Sequence, residues 1–220
     1  MTLTHHHLDA RSGRTRSLVI LLHGFGSNGA AMLGLARTLS AALPDTAFLA
    51  PDAPDAAPGR PGGRMWFTIP ELGGSSAIEA DLRLQASARQ LDAFLDDQLS
   101  AHDLPASAMA LLGFSQGAGM AYEVAPRRRD QFAGVVAIAG RMKRKESLAA
   151  EARSKPPFLI MTGAEDRLLT TDEIAQTATA LSDAGIPATR IDMPGTGHGI
   201  SDEGIAAGRD FLKSVLPRGT

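Results

Sequence analysis

The sequence holds no cysteine, which excludes disulfides, thiolate metal sites and a cysteine nucleophile. It also lacks an excess of either charge. Lys and Arg total 22 against 24 Asp and Glu, a formal net charge of −2, so no overall field draws the chain to nucleic acid or anionic membrane. Aromatic residues are scarce at 5%, with one tryptophan and one tyrosine. Two basic stretches, Arg127-Arg128-Arg129 and residues 140 to 157 with Arg141, Lys143, Arg144 and Lys145, have no interleaved aromatics on which bases could stack. The first reads as cations closing a helix C-terminus, the second as a solvated basic loop. No apolar run approaches a membrane span, and the opening MTLTHHHLDARSGRTR has no apolar core of signal-peptide length. The expectation is a soluble, unexported, cytoplasmic protein with no nucleic-acid partner and no stable membrane insertion.

What is there suits a globular chain. Of 220 residues 44% are hydrophobic and 21% charged, which predicts one domain over 1–220 with a substantial core. Continuous apolar runs at Leu18–Leu22, Met109–Leu112, Gly134–Ala139 and Phe158–Met161 read as buried strands, and Thr46–Ala50 and Ala188–Asp192 as two more. Helical patterns alternate with them. One is predicted over Ala30–Leu43. Another, opened by Ser76 and Glu79 as a capping box, runs to about Leu99 with Ile78, Leu82, Leu91, Leu95 and Leu99 on one face. Thr170 and Glu173 cap a third, and a last amphipathic helix follows Ser201. This alternation predicts a parallel sheet covered on both faces, with functional loops at the C-terminal ends of its strands. His5-His6-His7 reads as part of an edge strand over residues 2 to 8. Alternate side chains there point to opposite faces, so a shared metal is not expected.

Three strand ends carry chemistry. Met109–Leu112 breaks at Gly113-Phe114-Ser115-Gln116-Gly117, the G-x-S-x-G elbow, where two glycines let a strained turn lift a serine hydroxyl clear of the sheet. The Gln116 N–H, at the start of the following helix, is placed to stabilise an oxyanion. Leu22-His23-Gly24-Phe25-Gly26 has neither the register nor the Lys-Ser/Thr of a phosphate loop. It suits an amide, that of Phe25, offered to the same oxyanion, with the His23 ring anchoring the loop. Asp166 ends one later strand and His198 follows the last. The order Ser115, Asp166, His198 is that of an α/β-hydrolase triad: nucleophile, orienting acid and base.

The chain resembles the phospholipase/carboxylesterase family of compact α/β-hydrolases, which includes acyl-protein thioesterases and small bacterial carboxylesterases. The likeness runs from about Leu18 to Leu216. It rests on the two loops above, with Ala50-Pro51-Asp52-Ala53-Pro54, Met65-Trp66-Phe67, Gly163-x-x-Asp166 and Gly197-His198. The resemblance implies the α/β-hydrolase fold without a cap domain. It also implies Ser115, Asp166 and His198 as triad, the amides of Phe25 and Gln116 as oxyanion hole, and a groove lined by Met65, Trp66 and Phe67, with Trp66 facing the substrate. No metal or organic cofactor is implied. Two departures stand beside the groove: Ser27-Asn28-Gly29-Ala30, where members often carry an acid, and Thr68, where many carry Asp. They leave the chemistry intact but do not carry a protein-thioester substrate across.

The expected activity is hydrolysis of small carboxylic esters through an acyl-enzyme, with thioesters or lysophospholipids as alternative substrates. A serine peptidase of this fold commonly adds a propeller or cap, for which the chain has no room. A non-catalytic binding protein tends to lose a triad member, and none is missing. Neither 140 to 157 nor the proline- and glycine-rich stretch 51 to 74 has the pattern of an amphipathic lid, which predicts an open groove. A homodimer is compatible with the sequence, though no feature marks its interface.

Overall fold

The structure, a computed structural model, describes residues 3–72 and 75–217. Seven strands form one sheet: β1 (His5–Leu8), β2 (Ser17–Leu22), β3 (Thr46–Pro51), β6 (Met109–Phe114), β7 (Gly134–Ile138), β8 (Phe158–Gly163) and β9 (Ala188–Met193), in the order β1-β3-β2-β6-β7-β8-β9. Only β1 runs antiparallel, pairing His5 with Pro51 and Leu8 with Phe48. The rest pair in parallel, β2, β3, β6, β7 and β8 as apolar strands buried on both faces and β9 as an exposed edge. Two dipeptides, β4 (Asp55–Ala56) and β5 (Arg64–Met65), form a small ribbon beyond the end of β3. The helices are α1 (Gly29–Ser40), α2 (Ala77–Ala101), α3 (Gln116–Val124), the short α4 (Leu148–Glu151), α5 (Thr171–Asp183) and α6 (Asp202–Val215).

The core divides into two clusters, one on each face of the sheet. Leu18, Ile20, Leu111, Val135 and Ile160 face Leu91, Phe94 and Met120 of α2 and α3. Val19, Leu21, Leu112, Val136 and Met161 face Ala36 and Leu39 of α1 and Leu212 of α6. This is the mostly parallel α/β architecture the alternating pattern predicts.

Several details differ from the sequence reading. The edge strand was expected over residues 2 to 8; Thr2 lies outside the described residues, and the strand is His5–Leu8. Its histidines do part to different surroundings, His5 against the Phe94 ring and His6 3.7 Å from Asp52. On α2 the predicted face is wrong in its first half. Ile78 and Leu82 are 76% and 61% exposed, while Leu84, Leu91, Phe94 and Leu95 are buried. Leu82 and Leu91 stand nine residues apart, about two and a half turns, and so lie on opposite sides of the helix. Ser76 caps α2 by accepting the Glu79 N–H, whereas the reciprocal box forms in full at Thr170 and Glu173.

The segment 140–157 is not a solvated loop. Met142 and Leu148 are buried in it, and two of its cations are paired: Arg144 with Glu123, Asp81 and the segment's own Glu151, and Arg141 with Glu173. Two of the three arginines after α3 are paired too. Arg127 donates to the Glu123 carbonyl at the helix end, as a C-terminal cation should, and Arg128 is held by Asp92 and Asp96 across the Phe132 ring.

Candidate active site

The chain crosses from β6 into α3 at Ser115, whose φ of 53° and ψ of −113° place it outside the regions open to ordinary residues. The turn is possible only because its flanks lack side chains. A Cβ at Gly113 would overlap the Gly117 carbonyl, and one at Gly117 would overlap that of Leu22. The strained residue is held by its N–H, which donates to the Ile138 carbonyl at 2.8 Å, and by its carbonyl, which accepts from Gly119 at 3.1 Å.

Two other strand ends bring partners to the serine. At the end of β8, a Cβ on Gly163 would strike the carbonyls of Thr196 and Gly197, so glycine permits the loop carrying His198 to lie against the strand. The His198 Nε2 then stands 2.9 Å from Ser115 Oγ, and its Nδ1 2.8 Å from Asp166 Oδ2. The other Asp166 oxygen accepts the N–H groups of Leu168 and Leu169, at 2.8 and 3.3 Å. Its carboxylate is 1% exposed and so has one orientation. Glu165, its neighbour, is exposed. With Nδ1–H donating to Asp166, the Nε2 lone pair faces the serine hydroxyl and is placed to take its proton.

On the other side of Ser115 lie Phe25 and Gln116, which both border the cleft. Among the described residues no acceptor engages the Phe25 N–H, and that of Gln116, the first residue of α3, has no partner within the helix. The two amides are tied together through side chains. Gln116 Oε1 accepts the Trp66 N–H at 2.8 Å and its Nε2 donates to the Phe67 carbonyl at 2.7 Å. Trp66 Nε1 in turn donates to the His23 carbonyl at 3.0 Å, and Ser87 donates to the Trp66 carbonyl. His23 closes the circuit: Nδ1 donates to the Gly24 carbonyl at 2.8 Å and Nε2 accepts the Ala53 N–H at 3.0 Å. The ring is therefore neutral, and its burial lowers its pKa against the opposing effect of the Gly24 bond.

That shift has a consequence for stability. Near neutral pH and above, His23 is uncharged in both folded and unfolded chains and adds no pH dependence. As pH falls below about 6.5, the unfolded chain gains a proton that folded His23 resists, so stability falls. Denaturation midpoints measured from pH 7 to pH 5 are expected to drop, and to drop less steeply in His23→Gln. His5, whose pKa is also lowered by burial, accounts for a residual slope.

Trp66 does not face the groove. It is fully buried, and neither it nor Met65 borders the cleft; Phe67 alone of the three does. A tryptophan whose N–H must find an acceptor has been used as a strut. The cleft itself, about 510 Å³, is walled mainly by Phe25, Phe67, Ile69, Leu72, Phe114 and Leu168. Sequence reasoning missed all of these except Phe25 and Phe67, because single apolar residues in loops carry no periodic signal. It also took only the backbone of Gln116 into account. At the two departures, Asn28 caps α1 and donates to the Gly62 carbonyl, and the Thr68 hydroxyl is buried with no partner among the described residues.

Comparisons with known proteins bear on the family and the fold. A sequence model of the family described as Phospholipase/Carboxylesterase matches residues 3–216. Acyl-protein thioesterase 1 of Debaryomyces hansenii is 26% identical, over 92% of this chain and 93% of the relative. Esterase YpfH of Escherichia coli is 26% identical, over 92% and 84%. Among solved structures, that of esterase PE8 superposes with a TM-score of 0.92 at 34% identity, covering 98% of this chain and 100% of that one. Among the described residues no helix is long and apolar enough to cross a membrane, and no three His, Asp or Glu side chains converge as a metal site.

Proposed function

The chain belongs to the phospholipase/carboxylesterase family, and from that premise we propose that it is a serine carboxylesterase acting on short- to medium-chain esters through an acyl-enzyme. The observation that carries this reading is the unbroken line of hydrogen bonds from Ser115 Oγ through His198 to Asp166. In the forward step His198 takes the hydroxyl proton as Oγ attacks the ester carbonyl. The resulting oxyanion turns toward the N–H groups of Phe25 and Gln116. Asp166 steadies the imidazolium, which then protonates the departing alcohol. Water repeats the sequence on the acyl-enzyme, with His198 again as base.

The same residues serve a thioesterase or lysophospholipase, and the thioesterase relative from Debaryomyces hansenii keeps thioesters in view. A panel of matched acyl esters and thioesters of graded length tests the reading. Ester turnover with a preference below long-chain length is the expected result, and turnover confined to thioesters would replace it. The cleft is open, so rate against ester concentration is expected to follow a smooth hyperbola through the solubility limit. A jump as droplets form would reveal an interfacial enzyme.

The strut has a measurable role in this scheme. Trp66→Phe keeps the aromatic volume but deletes the N–H that holds the His23 carbonyl. With Phe25 two residues beyond that carbonyl, kcat is expected to fall roughly tenfold while KM changes little, because small misplacements of oxyanion donors act on the transition state. An unchanged kcat in a folded variant would relieve the indole of this role.

A further inference from the structure

The chain as a whole is slightly acidic, yet its cleft is not. Arg60, Arg141 and Lys143 border the cavity, and Glu71 is the one carboxylate among the residues that do. Arg141 is neutralised by Glu173 and also donates to the Leu168 carbonyl, which joins two walls of the cleft. Arg60 and Lys143 are different. Among the described residues no carboxylate lies within ion-pair range of either, although cations close by in sequence, Arg64 aside, do find partners: Arg144 has three acids and Lys145 has Glu146.

Each of the two is positioned by something other than charge. The stem of Arg60 lies over Gly26, in the loop that carries Phe25, and against Gly63 of its own turn. A Cβ at Gly26 would come within 3.0 Å of Arg60 Cγ, and one at Gly63 within 2.9 Å of Arg60 Cβ. Arg60 thereby borders the cleft that Phe25 also lines. Lys143 remains reachable by solvent on the wall formed after β7. Partial burial, and then the charge of Arg141, lower its pKa against the opposing charges of Glu71 and Glu173, which stand beyond ion-pair range. An ammonium so placed gains more from an incoming anion than a freely hydrated one. Much of the remaining wall is apolar, and with Arg141 paired and Glu71 the one carboxylate, the cleft keeps a cationic excess whose field its low-dielectric walls concentrate on what enters.

We propose that Arg60 and Lys143 select esters that carry a carboxylate away from the scissile bond, such as the half-esters of dicarboxylic acids or esters of hydroxy acids. The assignment rests on the esterase reading above. The apolar walls take the carbon chain, the catalytic serine takes the ester, and the free carboxylate is held at the cationic rim.

The test uses isosteric pairs. On the acyl side, mono-4-nitrophenyl adipate is compared with methyl 4-nitrophenyl adipate; on the alcohol side, 4-butyryloxybenzoate is compared with its methyl ester. Spontaneous hydrolysis is subtracted throughout. In at least one pair the anion is expected to show a kcat/KM roughly tenfold above its neutral partner, the low end of what electrostatic focusing in a charged cleft produces. That ratio should shrink with added salt and approach one in Arg60→Gln/Lys143→Gln. Arg209→Gln/Lys213→Gln, which removes the same two charges from the outer side of α6, should leave it unchanged. Turnover of the neutral esters with no anionic preference in either pair, or a preference that survives the double substitution, overturns the proposal while leaving the esterase reading intact. Failure to hydrolyse any of the four esters defeats the esterase reading itself.

Discussion

Ser115→Ala is expected to lower kcat by about 10⁶-fold, the loss seen when a triad nucleophile is removed elsewhere. The expectation follows from the elbow. The glycine contacts and the positive φ hold Ser115 in a strained turn at the strand end, and its hydroxyl sits 2.9 Å from His198 Nε2. An active-site-directed phosphonate should add once, at Ser115, and Ser115→Ala should lose labelling together with turnover. Because alanine keeps the backbone and removes a single oxygen, the variant should unfold at nearly the wild-type temperature. Phosphonate on another residue, or turnover that persists in the variant, would remove Ser115 from the role of nucleophile.

Asp166→Asn is expected to cost about 10⁴-fold in kcat, as removal of the orienting carboxylate does in other triads. The asparagine amide can present an N–H to His198 where the carboxylate presents a lone pair. The ring then favours the tautomer with its proton on Nε2, which cannot accept from Ser115. Glu165→Gln should stay within a few-fold of wild type. The two acids are adjacent in sequence, but the Asp166 carboxylate is enclosed and bonded to His198, while Glu165 is exposed. Measuring both variants on one soluble ester separates them. A dead Glu165→Gln beside an active Asp166→Asn would transfer the role.

The residues whose placement could be read from sequence share a physical trait: their local sterics or their long runs leave few alternatives. Gly113 and Gly117 announce the turn at Ser115 because a Cβ at either would meet backbone. Val19 and Leu21 point to one cluster and Leu18 and Ile20 to the other, as in any strand buried on both sides. Trp66 was not legible in this way. An aromatic residue in a loop reads alike as wall or as strut until the acceptor for its N–H is known, and that acceptor, His23, lies 43 residues away. The basic segment after β7 misled for the same reason, since the acids that neutralise it come from α2, α3 and α5. Charge pairing across elements leaves no mark in a local window. The misplaced face of α2 is another matter: Leu82 and Leu91 are out of phase on any helix, and closer attention to the period would have shown it.

The circuit from Gln116 through Trp66 to His23 and Ala53 joins segments 50, 43 and 30 residues apart, and the line from Ser115 to His198 closes 83. Each of these links joins residues beyond the strand ends, outside the sheet's ladder of backbone bonds, and can open without unpairing a strand. The catalytic geometry is accordingly among the first features to loosen. Hydrolytic rate in this protein is then a more sensitive gauge of the native state than its helical content, and gentle denaturants should silence the enzyme while most of the sheet still stands.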